Sequence, residues 1–122
     1  MTMKAKARLT LRCMDDEIPG AFGHGCVLLL QGVAEEHSLN KASKRMGMAY
    51  SKAWRIMKEA EAQLGCKLLD RDGARGSTLT PEGQEVMEAY QQLSAEIRGL
   101  LDRRVPELFG AFGAAAETEN AS

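Results

Sequence analysis

The sequence predicts a mainly α-helical fold with a small β wing, and three observations carry that prediction. Two amphipathic helical patterns are separated by only a few residues around Gly47. Two short β-prone runs, residues 67–71 and 77–80, then flank a glycine-containing basic turn. Finally, Thr80-Pro81 opens a long helical pattern whose apolar residues recur at spacings of four and three. The 122 residues suit one small domain, or one domain with tails. With 44% hydrophobic and 27% charged residues and only three prolines, the composition is that of a folded chain, not a proline-rich disordered one.

In chain order, residues 7–13 alternate Arg8, Thr10 and Arg12 with Leu9, Leu11 and Cys13, which predicts a strand with one wet face. Asp15, Asp16, Glu17 and Pro19-Gly20 read as a loop. A first helix is expected over residues 22–37, with Cys26, Leu29, Leu30, Val33 and Ala34 on one face. Ser38 is an N-cap for a second, short helix whose Leu39, Ala42 and Met46 face inward and which Gly47 ends. A third helix follows over residues 50–64, closed by Gly65. Helix, tight turn, helix is the helix-turn-helix pattern. The long fourth helix is expected to run to about Arg104, with Pro106 ending or kinking it.

The third helix sorts its residues by chemistry. At 100° per residue, Ala53, Ile56, Met57, Ala60 and Leu64 share one side, while Ser51, Arg55, Lys58 and Ala62 lie opposite. From Ser38 to Lys58 there are six cations (Lys41, Lys44, Arg45, Lys52, Arg55, Lys58) and no carboxylate. A solvated face mixes signs, whereas a one-sided run over both helices suits phosphate. The expected DNA-contacting residues are Ser38, Lys41, Lys44, Tyr50, Ser51, Lys52, Arg55 and Lys58, with Arg71 and Arg75 in the wing. Arg55 suits a bidentate contact to guanine, and Lys58 a phosphate. Trp54 is expected to pack against an adjacent helix.

Val86, Tyr90, Leu93, Ile97 and Leu100 form a heptad seam of about two repeats, which predicts a homodimer through the fourth helix. Two recognition helices would then stand about 34 Å apart, one turn of DNA. The formal net charge of −1 conceals a division along the chain: from Glu82 onward, eight acids face three arginines. The expected organisation is a winged helix-turn-helix over residues 1–80, a linker and dimerisation helix over 81–112, and a disordered tail over 113–122.

The three cysteines and two histidines show no paired ligand spacing, and Glu35-Glu36-His37 reads as a solvated helix end. No metal or cofactor is expected. Neither a nucleophile-base-orienter set nor a phosphate-cradling Gly-rich motif is present, so catalysis is not expected. No apolar run approaches the length of a membrane span, and no signal peptide is seen, so the expected setting is the cytoplasm.

Five segments resemble a known family in order. Residues 47–54, Gly-Met-Ala-Tyr-Ser-Lys-Ala-Trp, resemble the recognition-helix entry of the molybdate-responsive ModE-type regulators and, more distantly, of LysR-type regulators. Residues 38–43 are similar to the preceding helix, Leu68-Leu69-Asp70-Arg71 to a wing strand, and Leu79-Thr80-Pro81-Glu82-Gly83 to the start of the linker helix. The first strand also suits the ModE type. The resemblance implies a homodimeric bacterial transcriptional regulator that binds double-stranded DNA at an inverted repeat. Ala49 departs from the family by replacing a capping serine. The family's C-terminal oxyanion-binding domains find no counterpart after Phe112, so molybdate binding is not expected in this chain. The competing expectation is a protein-interaction module whose helices pair with a separate sensor subunit.

Overall fold

The computed structural model describes residues 3–71 and 76–113. The elements are α1 (His24–Glu36), α2 (Leu39–Arg45), α3 (Tyr50–Leu64), β1 (Leu69–Arg71), β2 (Ser77–Leu79) and α4 (Pro81–Phe109). β1 and β2 pair antiparallel, with Leu69 opposite Leu79, Asp70 opposite Thr78 and Arg71 opposite Ser77. The expected mainly helical fold with a two-stranded wing is therefore what the chain adopts. It divides into one unit of Arg8–Tyr90 and a second of Met1–Ala7 with Gln91–Ser122.

The core of the first unit gathers one face of every helix in it. Cys26, Val27, Leu29, Leu30 and Val33 come from α1, Leu39 and Ala42 from α2, and Ala53, Met57 and Ala60 from α3. Leu68 and Phe22 join them from outside the helices, and Met87 and Tyr90 from α4. Helices α1 and α2 cross closely because α1 presents Gly32: a Cβ there would stand 2.6 Å from the Ala42 Cβ. Ser38 starts α2 as expected, its Oγ accepting from the Lys41 N–H at 3.1 Å. Gly47 takes φ +68 in the turn that follows, a left-handed conformation that glycine adopts without steric penalty.

Several expectations are corrected. Residues 7–13 do not form a strand; Leu11 makes an isolated two-bond bridge with Phe22. The ladder stops there because side chains take over the neighbouring hydrogen bonds. The Gln63 amide accepts from the Cys13 N–H at 2.7 Å and donates to the Ile18 and Pro19 carbonyls. Arg12 donates to the Ile18 and Gly20 carbonyls. Alternation does survive in burial: Leu9, Leu11 and Cys13 are half-buried, and Arg8, Thr10 and Arg12 are exposed.

Helix α1 starts at His24 rather than residue 22, because Phe22 is held in that bridge and fully buried. Ala34 is exposed, and Gly32 takes the inward place the sequence pattern assigned to it. Helix α4 neither stops nor breaks at Pro106 but continues to Phe109. A proline so close to a helix end removes one backbone bond and leaves only a short stretch to disrupt.

α4 opens on Thr80, whose hydroxyl accepts from the Gly83 N–H at 2.9 Å and donates to the Lys67 carbonyl at 2.6 Å. Tyr90, expected in a dimer seam, belongs to the core of the first unit. Its ring meets Phe22 edge-on at 5.6 Å, and its hydroxyl donates to the Leu9 carbonyl at 2.7 Å.

Candidate nucleic-acid interface

The interface is built around α3. Its buried residues are Ala53, Met57, Ala60 and Gln63, which turns Ser51, Lys52, Arg55, Lys58 and Ala62 outward. Ile56 and Leu64, expected in the core stripe, are half-buried at its margin. Ala49 stands at the N-cap of the helix and offers no side-chain cap, as the missing serine implies. Its first backbone N–H groups are thus left to another acceptor.

Helix α2 adds Lys41 and Lys44, three residues apart and both exposed. Among the described residues, Lys41, Lys44 and Lys52 form no salt bridge, while the other three cations of the basic run do. Arg45 reaches Glu35 at 2.7 Å and Glu36 at 3.6 Å across the α1–α2 turn. Arg55 lies 3.7 Å from Glu59, and Lys58 lies 3.3 Å from Glu61. The run without carboxylates in sequence therefore gains carboxylate partners in space. The Arg45–Glu35 pair is exposed on both sides, and such pairs contribute about 0.2–1 kcal/mol, which a phosphate readily outweighs, whereas the Glu61 partner of Lys58 is largely covered.

The wing is fixed to the helix-turn-helix by a backbone contact. The Ser77 N–H donates to the His37 carbonyl at 3.0 Å, beside the turn between α1 and α2. The approach is possible because residue 76 is glycine: its φ is +99°, and a Cβ would stand 2.1 Å from the His37 oxygen. This docking brings Arg71, at the end of β1, against the start of α3, where it donates a hydrogen bond to the Tyr50 hydroxyl. A groove of about 680 Å³ results, lined by Ser38, Leu39, Asn40, Tyr50, Arg71, Gly76 and Ser77.

Ser38, Tyr50 and Arg71 thus meet at one groove, while Ser51, Lys52 and Arg55 lie on the outward face of α3. Arg75 lies outside the described residues, as do the rest of the wing tip and residues 114–122. The groove also includes Asn40 and Ser77, which sequence reasoning missed. Asn40 lies one residue before Lys41 on α2, but nothing in its spacing marks it. Trp54 is also placed differently from expectation. It is half-buried between two cations, with the Lys58 Nζ 4.2 Å and the Arg71 Cζ 5.3 Å from its ring centroid.

Residues 27–84 match the family described as "Bacterial regulatory helix-turn-helix protein, lysR family". The solved structure of the CbnR_DBD–DNA complex is 30% identical, with a TM-score of 0.54 over 65% of this chain and 88% of that one. The chain carries a lysR-family helix-turn-helix domain. The lysR-type domain also resembles the BenM_DBD/benA site 1 DNA complex, at 26% identity and a TM-score of 0.53, over 65% of this chain and 91% of that one. Full-length CbnR, described as a LysR family transcriptional regulator, is 30% identical with a TM-score of 0.53, and the match covers 65% of this chain and 27% of CbnR.

The molybdenum transport protein ModE of Azotobacter vinelandii is 26% identical over 105 residues, which is 83% of this chain and 39% of ModE. Both resemblances seen in the sequence are thus found, and the chain spans well under half the length of the curated relative. No helix among the described residues is long and apolar enough to cross a membrane.

Proposed function

We propose that this lysR-type domain binds double-stranded DNA and regulates transcription, docking α3 in the major groove of an inverted-repeat operator as a homodimer in the cytoplasm. One observation carries the reading: Ser51, Lys52 and Arg55 stand outward on α3, opposite the buried Ala53, Met57 and Ala60. This leaves the helix free to enter a groove while its other face holds the fold together. Lys41, Lys44 and Lys58 supply phosphate contacts, Ser38, Tyr50 and Arg71 border the groove beside the wing, and Arg55 reads a base. The DNA complexes of CbnR_DBD and BenM_DBD support the same use of the fold.

The homodimer is assigned to α4, where Leu93 and Leu100 are exposed and Ile97 is half-buried. Val86 and Tyr90 pack on or within the core of the first unit, so the seam narrows to Leu93, Ile97 and Leu100. A salt titration of duplex binding tests the reading. The logarithm of affinity should fall linearly with the logarithm of salt, with a slope of about 0.9 for each phosphate contacted. No duplex binding at low salt would overturn it. It would favour instead a module that pairs α4 with a separate sensor subunit, for which the exposed Leu108, Phe109 and Phe112 also offer apolar surface.

A further inference from the structure

We infer that Trp54 is a positioning residue that holds the wing cation Arg71 and the helix cation Lys58 as one unit, so that both meet the DNA backbone together. The inference rests on the DNA-binding reading above and adds to it a role for an uncharged residue within the basic run. Tyr50, Trp54 and Lys58 recur every four residues and so form one stripe on α3. The Lys58 Nζ stands 4.2 Å from the Trp54 ring centroid, and the Arg71 Cζ stands 5.3 Å from it. Two like charges beside one ring repel each other, and the negative π-face of the ring offsets that repulsion.

Each cation also has a second tether. Arg71 donates to the Tyr50 hydroxyl and lies 6.0 Å from the centroid of the Tyr50 ring. Lys58 reaches Glu61 Oε1 at 3.3 Å, while Glu61 Oε2 accepts from the Leu68 N–H at 2.8 Å, at the base of the wing. The wing is thus bound to α3 at both ends of the stripe, and Trp54 fills the middle. Both charges remain on the exposed side, Lys58 at 50% side-chain exposure. That arrangement presents a paired positive site to phosphate without ordering either side chain at the moment of binding.

The test uses the full chain and a fluorescently labelled random-sequence duplex. Trp54→Ala and Arg71→Ala should each weaken binding about tenfold and reduce the salt slope by about one. Trp54→Phe, which keeps an aromatic face, should recover most of the loss. Trp54→Ala with Arg71→Ala should lose less than the product of the two single losses, because both substitutions remove the Trp54–Arg71 contact. Thermal unfolding identifies any variant that fails to fold, and Trp54→Phe keeps the test decisive in that case.

The chain has a single tryptophan, so its fluorescence reads the geometry without DNA. Arg71→Ala should raise acrylamide quenching of the free protein. Unchanged quenching, or losses that multiply in the double variant with the salt slope intact, would overturn the inference. Failure of the wild-type chain to bind any duplex would instead remove the DNA-binding reading, and quenching would still judge the Trp54–Arg71 contact.

Discussion

Arg55 has 62% of its side chain exposed and lies 3.7 Å from Glu59, one helical turn along α3. The pairing holds the guanidinium on the outward face, where it can exchange a carboxylate for the N7 and O6 edge of guanine. Arg55→Ala should therefore remove about 1–3 kcal/mol of discrimination at one base pair in each half-site. Competition binding against single-base operator variants measures this. An equal loss on operator and random duplex would assign Arg55 to phosphate instead.

Cys26 gives a second prediction at this scale. It is buried in α1, its thiol donating toward the Ala21 carbonyl at 3.5 Å, and burial pushes its pKa above the ordinary 9.0. A thiol raised in the folded state stabilises the fold fully below the unfolded value. That stability declines as pH rises from there through the raised folded value. Denaturant midpoints should thus fall above pH 9.0, and Cys26→Val should flatten the fall. An equally steep fall in the valine variant would place the effect elsewhere.

At the scale of elements, the α1–α2 crossing and the start of α4 are the sensitive points. Alanine at position 32 would gain about 0.5–1 kcal/mol of helix propensity, but its Cβ would press on Ala42 at 2.6 Å. Overpacking of this kind costs about 1–3 kcal/mol, so Gly32→Ala should destabilise the fold in urea unfolding despite the better helix former. Thr80→Ala removes both the cap to Gly83 and the tie to Lys67, and should cost about 1–2 kcal/mol in the same assay.

The elements themselves were largely legible. The periodicities of α2, α3 and α4, the Ser38 cap and the Thr80-Pro81 start are local signals, and local hydrogen bonding satisfies them. The first strand was not, because a strand needs a partner. Leu11 finds one only in Phe22, and Gln63, far along the chain, occupies the next backbone group.

For the whole molecule, the proposed homodimer rests on the exposed apolar residues of α4. Leu93 is 42% and Leu100 47% exposed, an arrangement that a self-complementary helix pair would cover. Leu93→Glu with Leu100→Glu should convert a dimer to a monomer in sedimentation velocity. Each half-site should then be bound with much weaker apparent affinity, because the second contact is no longer intramolecular. A variant that sediments as the wild type does would remove the homodimer from the proposal.

The division between basic and acidic segments was already visible as a count of charges, and it explains why a net charge of −1 is compatible with a nucleic-acid surface. By itself the sequence determined the helix-turn-helix, the wing and the polar face of α3, because helical and strand periods, caps and turn glycines act over a few residues. Only the tertiary structure decided that Arg45 pairs with Glu35 across the α1–α2 turn, whereas Arg55–Glu59 and Lys58–Glu61 are local pairs one helical turn apart on α3. It also placed Tyr90 in the core and Trp54 between Lys58 and Arg71. Both aromatics fit a helical period equally well in either role. What assigns the role is the neighbour across the fold, Phe22 for one and Arg71 for the other, and that neighbour lies beyond the reach of any local pattern.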